Sequence, residues 1–159
     1  MFVLSIVVAA TIFGGCSDDY HAPKSMRDTF NNQYPNAVDV EWEKKRGFVV
    51  VEFHLPGVSS DCEAWYTKSG EWRMTEFDIA YNALPDAVRT AFESEFGATT
   101  PVDDVKRIDR NGVDSIYLIE ATVVVNGYLT DLYLEYQSNG TLLRTAANVE
   151  SEYFFTDYL

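Results

Sequence analysis

The chain is poor in cysteine and histidine, and this scarcity excludes several kinds of functional site. Its 159 residues include two cysteines, Cys16 and Cys62, and two histidines, His21 and His54. These four residues do not have the spacing of a zinc-binding Cys/His set. A glycine-rich phosphate-binding loop is also missing from the sequence. We therefore expect neither a metal nor any other cofactor.

Basic side chains are scarce as well. Twelve Lys and Arg face 25 Asp and Glu, which gives a formal net charge of −13 at pH 7. Such a surface repels the phosphates of nucleic acids and the head groups of anionic lipids, so neither is expected as a direct partner. The charge favours a cationic protein or peptide, or a divalent cation. Solubility in a crowded extracytoplasmic space explains the same charge without any partner.

No apolar run is long enough to span a bilayer, which takes about 20 residues. The longest, Phe2 to Phe13, has the length of a signal-peptide core, and residues 1–15 contain no charged side chain. The following Gly14-Gly15-Cys16 resembles the lipobox of bacterial lipoproteins, in which the cysteine is diacylated. We expect residues 1–15 to be a lipoprotein signal peptide and 16–22 a tether, with Cys16 incidental in the alternative of a plain secretory signal.

Lipidation would set the location of the protein. A lipid on Cys16 would anchor it in the outer membrane after secretion across the inner membrane, either periplasmic or surface-exposed, and the anchor would be its one membrane contact. Cys62 would then have no intramolecular disulfide partner. Because Cys62 stands among acidic residues, which raise a thiol pKa, we expect it to be a small packing residue at a strand start.

Two related segments organise the remainder of the chain. Residues 23–34 and 85–96 both begin with proline, carry an apolar stripe at helical spacing, and lie 62 residues apart. Strand-like alternation follows each of them, with turns at Gly70 and Gly140 in matching positions. This pattern predicts an α+β fold of two tandem repeats, 23–80 and 81–145, each with one helix packed on a four-stranded antiparallel meander sheet.

The C-terminal stretch 146–159 is aromatic and acidic. Four aromatic residues stand there among three acidic ones. A disordered tail rarely carries so many aromatic side chains, so we expect this stretch to dock on a sheet or on the other half of the chain. A tail that seeks a partner is the alternative.

Several short motifs resemble one known family. They are Val40-Glu41-Trp42-Glu43, Glu63-Ala64-Trp65-Tyr66 with Gly70 and Trp72 after it, and Leu84-Pro85-Asp86-Ala87-Val88. Together they look like the PepSY-like family, also described as β-lactamase-inhibitor-like. The resemblance implies secreted or lipid-anchored envelope proteins with a fold like that of β-lactamase inhibitor protein, which grips another protein with an open sheet face. No inhibitory residue can be carried over.

Candidate catalytic groups do not combine into a reaction centre. His54 and Cys62 could meet across a hairpin, but the sequence offers no third group to orient them. Most glutamates alternate along strands, where ordinary solvation explains them. The stretch Asp109-Arg110-Asn111-Gly112 begins like a calcium loop but lacks the later ligands. We therefore expect no enzymatic activity.

One side of the predicted sheets is a candidate binding face. If Val49, Val51 and Phe53 pack on the helices, period-two alternation turns their neighbours to the opposite side. The face comprises Phe48, Val50, Glu52, His54, Trp65, Leu118, Tyr133 and Glu135, with Ile116 beside them. Exposed apolar patches of this kind mark interaction sites. We expect a non-enzymatic envelope module that binds a protein or peptide here; a passive structural or accessory lipoprotein is the alternative, if the tail or the other half covers the face.

Overall fold

The computed structural model describes residues 20–57 and 61–148, which contain two α-helices and eight strands. In chain order they are α1 (Lys24–Gln33), β1 (Val38–Lys45), β2 (Phe48–His54), β3 (Asp61–Tyr66), β4 (Trp72–Asp78), α2 (Asp86–Phe96), β5 (Val102–Arg110), β6 (Val113–Val125), β7 (Tyr128–Gln137) and β8 (Leu142–Ala147). A short 3-10 helix, Tyr81–Ala83, lies between β4 and α2.

The strands form one antiparallel sheet in sequence order, β1 to β8. The predicted α+β class and the antiparallel meanders are confirmed. The prediction of a separate four-stranded sheet in each half needs a correction, because β4 pairs with β5 from Met74↔Arg110 to Asp78↔Lys106. Continuing the sheet satisfies the backbone groups at what would otherwise be two open edges.

The helix α1 packs on the first half of the sheet. Pro23 precedes it, where the missing proline N–H is not needed, and Pro35 follows Tyr34 at its end. The one-turn spacing of Met26 and Phe30 turns both onto the sheet, and both are buried. They join Val49, Val51, Phe53, Cys62, Ala64, Tyr66 and Phe77 in one core cluster.

The helix α2 packs on the second half in the same way. Val88 and Phe92 are its buried residues, and the helix ends at Gly97, whose φ of +95° suits glycine. Its core cluster contains Leu84, Val88, Phe92, Val105, Ile119, Ala121, Leu132, Leu134 and Tyr136. Both helices therefore cover the side of the sheet that carries the odd-numbered residues of β2 and β6.

The opposite side of the sheet, which we call the far face, has a core cluster without a helical residue. Its buried members, which we call the apolar band, are Val50, Trp65, Met74, Ile108, Ile116, Leu118 and Tyr133. Phe48 and Ala146 pack against them. Two apolar layers therefore lie on either side of one sheet.

The described region includes the last residues of the predicted tether and the first residues of the predicted tail. Ala22 is buried and Tyr20 packs on the first core, with Lys44 Nζ 4.4 Å from the centre of the Tyr20 ring. Ala146 and Ala147 belong to β8. The signal peptide, Cys16 and tail residues 149–159 lie outside the described residues. Neither described helix has the length and apolarity needed to cross a bilayer.

Candidate binding face

Strand register brings the predicted face residues onto one side of the sheet. Val50 lies opposite Trp65 on β2 and β3, and Leu118 lies opposite Glu135 on β6 and β7. Tyr133 lies opposite Ala146, itself a neighbour of the apolar band. The predicted sidedness is therefore present in the structure: these residues point away from both helices.

The sequence left open whether this face is exposed or covered, and five of its eight side chains are buried in the structure. Val50 is 0%, Trp65 3%, Leu118 2%, Tyr133 6% and Glu135 3% exposed. Alternation along a strand shows which side a residue takes, but not whether that side is covered. Glu52 is exposed, and Phe48 and His54 are half-buried, so the accessible part of the predicted face lies on β2.

Polar contacts surround the apolar band. The Tyr133 hydroxyl donates a hydrogen bond of 2.6 Å to Glu120. Arg144 Nε donates to the buried Glu135 carboxylate at 3.1 Å. At the other end, the rings of Phe48 and Trp65 meet edge to face at 6.3 Å between centroids. The candidate residues of the second half thus serve mainly packing and ion pairing.

A row of glutamates crosses the first four strands beside the apolar band. Glu41 lies opposite Glu52, Glu52 opposite Glu63, and Glu63 opposite Glu76. Like charges directly opposite each other on a sheet are destabilising, so this row is not explained by strand pairing. Solvation does not explain the presence of Glu76 either, because this residue is only 6% exposed. The sequence-based interpretation of the strand glutamates as ordinary solvated residues is therefore wrong for Glu76 and for Glu135.

A small cavity opens within this row. Six residues line it, and we call it the acidic pocket: Glu52, Asp61, Glu63, Glu76, Asp78 and Lys106. Its volume is about 90 Å³, far below the ~300–1,000 Å³ of drug-sized ligand sites. Five carboxyl groups thus share the pocket with one ammonium group.

The charges in the pocket are unevenly paired. Lys106 Nζ binds Asp78 and lies 3.4 Å from Asp104. Burial lowers the pKa of Lys106, but the hydrogen bond to Asp78 and the nearby carboxylates outweigh it, so the net shift is upward. Lys45 Nζ lies 3.5 Å from Glu63. Glu76 Oε1 is buried and has no hydrogen-bond partner in the described part of the chain.

Burial dominates the titration of the two inner glutamates. It raises the pKa of Glu76 to about 8, with a further contribution from the charge of Glu63 and opposition from Lys106. Burial also raises the pKa of Glu63. Near neutral pH Glu76 therefore exists largely as a carboxylic acid, which can be ionised by a cation placed beside it.

The catalytic alternative of a Cys–His pair is not assembled. His54 lies opposite Asp61, and its Nε2 is 2.7 Å from an Asp61 carboxylate oxygen. Cys62 lies opposite Phe53 in the core under α1, on the other side of the sheet. Burial raises the pKa of its thiol to about 11. Within 20–57 and 61–148, no His, Cys, Asp and Glu group has the geometry to hold a metal ion.

The family follows from comparison with known proteins. A family model described as "Putative beta-lactamase-inhibitor-like, PepSY-like" matches residues 49–144, more than half of the chain. The protein belongs to the PepSY-like family. The match extends from β2 to β8 and includes the whole acidic pocket. No curated protein matches this PepSY-like chain.

Solved structures agree with this assignment. A DUF2874 family protein from Bacteroides ovatus is 26% identical, with a TM-score of 0.71 over 80% of this chain and 89% of its own. A BLIP-like protein from Bacteroides fragilis is 27% identical, with a TM-score of 0.69 over 83% and 90%. A Bacteroides eggerthii protein described as "putative periplasmic" is 24% identical, with a TM-score of 0.70 over 80% and 90%. The PepSY-like chain thus shares its fold with BLIP-like proteins.

Proposed function

We propose that this PepSY-like protein is a non-enzymatic envelope lipoprotein that binds a protein or peptide through the far face of its sheet. The observation that carries the proposal is the acidic pocket, which opens on this face with five carboxyl groups and one lysine. Exposed Glu52 lines it, and half-buried His54 of the same strand lies 2.7 Å from Asp61 of the lining. Similarity to BLIP-like proteins supports an inhibitor-like binding module of this kind.

The proposal includes the anchor and the repeat. Residues 1–15 would be the signal peptide, Cys16 the lipidated residue, and 16–22 the tether to the outer membrane. Residues 23–80 and 81–145 would be two copies of one unit, which the order of one helix and four strands in each half supports. Cys16→Ser should release the protein from the membrane fraction into the soluble fraction. Retention of this variant in the membrane fraction would contradict lipidation.

One observation favours the second candidate, a passive accessory lipoprotein. The apolar band is buried, with Val50 0% and Trp65 3% exposed, so the large aromatic anchor expected for a binding surface is not accessible. Of the eight predicted face residues, Phe48, Glu52 and His54 of β2 remain accessible. The two candidates therefore differ in whether anything contacts this part of the face in the envelope.

Site-specific crosslinking separates them. A photoreactive amino acid placed at exposed Glu52 samples the far face, and one at exposed Glu95 of α2 samples the helical side as a matched control. In intact cells we expect a discrete adduct of higher mass from position 52 and none from position 95. Equal labelling at the two positions, or no adduct at position 52, would favour the passive alternative. Trp65 is unsuitable as a probe because its replacement would disturb buried packing.

A further inference from the structure

We propose that the acidic pocket receives one lysine or arginine side chain of the protein partner. This inference rests on the proposed function, because it names the chemical group that the far face would recognise. The pocket lies on β2, β3 and β4, where Glu52, Glu63 and Glu76 stand side by side in register. Glu52 at its mouth is exposed and Glu76 at its inner end is buried, so the pocket leads inward from the surface.

The charge balance of the pocket calls for an added cation. Its lining holds Glu52, Asp61, Glu63, Glu76 and Asp78 against Lys106. The ammonium group of Lys106 is already bound by Asp78 and lies near Asp104, at one side of the pocket. Glu63 has Lys45 3.5 Å away. With Glu76 protonated and His54 2.7 Å from Asp61, the carboxylates of Glu52, Asp61, Glu63 and Asp78 still outnumber the two lysines. A positive group beside them would relieve their mutual repulsion.

Glu76 supplies an observation independent of charge. Its side chain is 6% exposed and lines the pocket, and its Oε1 accepts no hydrogen bond from the described residues. A buried acceptor left unpaired costs about 1–3 kcal/mol. The atom therefore has the position and the unused hydrogen-bonding capacity of a ligand contact, which a solvated surface glutamate would not have.

Size and donor geometry select an organic cation. A volume of about 90 Å³ admits the head group of a side chain but not a drug-sized molecule. A metal ion is disfavoured, because the described carboxylates nowhere converge in a metal-holding group. Ammonium and guanidinium groups carry three and five N–H donors, which can bind carboxyl groups that lie around a pocket without converging on one point.

The direct test uses methylguanidinium and methylammonium chloride as stand-ins for the two side chains. Titrated into protein labelled with ¹³C at glutamate, they should shift the carboxyl signals of Glu76 and Glu63 in a saturable manner. Glu76→Gln should weaken the response of Glu63 about tenfold, since one charge-assisted hydrogen bond is lost. The control variant is Glu95→Gln, which changes an exposed glutamate of α2 on the helical side of the sheet and should leave the titration unchanged.

Two further salts make the result decisive. Tetramethylammonium has the charge but no N–H donor, and at equal ionic strength it should produce no saturable shift. Calcium chloride tests the metal alternative. Equal responses to tetramethylammonium and methylguanidinium, a response to calcium alone, or a titration unaffected by Glu76→Gln would each overturn the proposal.

The crosslinking experiment distinguishes a failure of this proposal from a failure of the proposed function on which it rests. If position 52 forms its adduct and the pocket does not bind methylguanidinium, far-face binding stands and the lysine or arginine assignment is wrong. If methylguanidinium binds and no adduct forms, the proposed function is wrong. If both occur, the adduct should be lost in Glu76→Gln and kept in Glu95→Gln. An adduct that persists in Glu76→Gln would overturn the assignment.

Discussion

Glu76 differs from a solvated glutamate because its side chain is buried. Burial holds its pKa near 8, above the value of about 4.3 of a free glutamate. The folded state therefore binds a proton that the unfolded state lacks between these values. The stabilising contribution of this proton is complete below about pH 4 and is lost as pH rises towards 8, at up to about 1.4 kcal/mol per pH unit.

Glu76→Gln removes this titration. We expect the free energy of unfolding of the variant to rise relative to wild type as pH increases from about 5 to 8, as measured by urea denaturation at several pH values. Because the pKa of Glu63 is also raised, the unfolding free energy of Glu76→Gln should itself still fall as pH rises, but less steeply than that of wild type. A difference between Glu76→Gln and wild type that does not change with pH over this range would contradict the protonated state of Glu76.

The sequence could not single out Glu76. Glu41, Glu52, Glu63 and Glu76 all follow the same alternation, which assigns them one side of the sheet. Alternation is a property of each strand alone, whereas burial at the inner end of the row depends on which strands lie beside it. The second half of the chain contributes Lys106 to the same pocket through β5, a neighbour that the two-sheet prediction had omitted.

Thr75 is a second residue with a role that its type does not suggest. It is fully buried, and its hydroxyl oxygen accepts hydrogen bonds from Tyr34 Oη at 2.7 Å and Trp72 Nε1 at 2.9 Å. Thr75→Val keeps the shape but leaves two donors without an acceptor. We expect a loss of about 2 kcal/mol in unfolding free energy, measured by denaturant titration. Exposed Thr145→Val in β8 should change stability by less than about 0.5 kcal/mol.

Among the elements, the β7–β8 hairpin depends on its contact with α2. Gly140 in its turn has φ +85°, and a Cβ there would lie 2.6 Å from the carbonyl oxygen of Ala87 in the first turn of the helix. Gly127 in the β6–β7 turn has the same φ of +85° but open space around it. The pair separates backbone strain from steric contact, because only Gly140 has both.

We therefore expect unequal costs from one chemical change. Gly127→Ala should lower the unfolding free energy by about 1 kcal/mol, through the left-handed backbone alone. Gly140→Ala should cost about 2 kcal/mol more, because the helix and the turn must separate. Thermal or urea unfolding measures both values. Equal losses would show that the turn moves away from α2 without penalty.

Element boundaries were largely predictable, while contacts between elements were not. The Asn126-Gly127 pair, a sequence signal for a hairpin turn, joins β6 and β7 with φ values of +52° and +85° that these residue types tolerate. Matching of Gly70 with Gly140 is also reflected in the structure, since both turns lie against a helix, at Met26 and at Ala87. A local sequence pattern does not show how closely the turn at Gly140 approaches Ala87, which lies 140 − 87 = 53 residues earlier in the chain. The close contact at Gly140 is therefore visible only in the fold.

At the scale of the whole molecule, the continuous sheet should make both halves unfold together. The three tryptophans, Trp42, Trp65 and Trp72, all lie in the first half. Phe92→Ala opens a cavity in the core under α2, in the second half, at a cost of about 3–5 kcal/mol. We expect the midpoints followed by tryptophan fluorescence and by far-UV circular dichroism to fall together.

Separate transitions would contradict this coupling. If Phe92→Ala left the fluorescence midpoint in place while the circular dichroism signal fell earlier, the β4–β5 pairing would be too weak to link the halves. The control is Phe30→Ala in the first core, where both signals should move to a similar extent because the cavity adjoins the tryptophans.

The global arrangement was the part least accessible to prediction. Two helix-and-meander units follow from periodicity, but periodicity assigns no partner to the last strand of one unit and the first of the next. Their pairing from Met74↔Arg110 to Asp78↔Lys106 joins two halves that local signals describe separately. The same limitation left two alternatives for the far face, exposed or covered, because strand patterns cannot show that Trp65 is buried.

The strand β1 is one of the two edge strands of the sheet. Its ladder to β2 is interrupted between Val38 and Glu41, where Asp39 takes a left-handed φ of +52°. Charged side chains occupy most of the stretch from Glu41 to Lys45. Irregular, charged margins resist the addition of a foreign strand. Crowded copies of this molecule should therefore stay separate along β1 and not stack into fibrils.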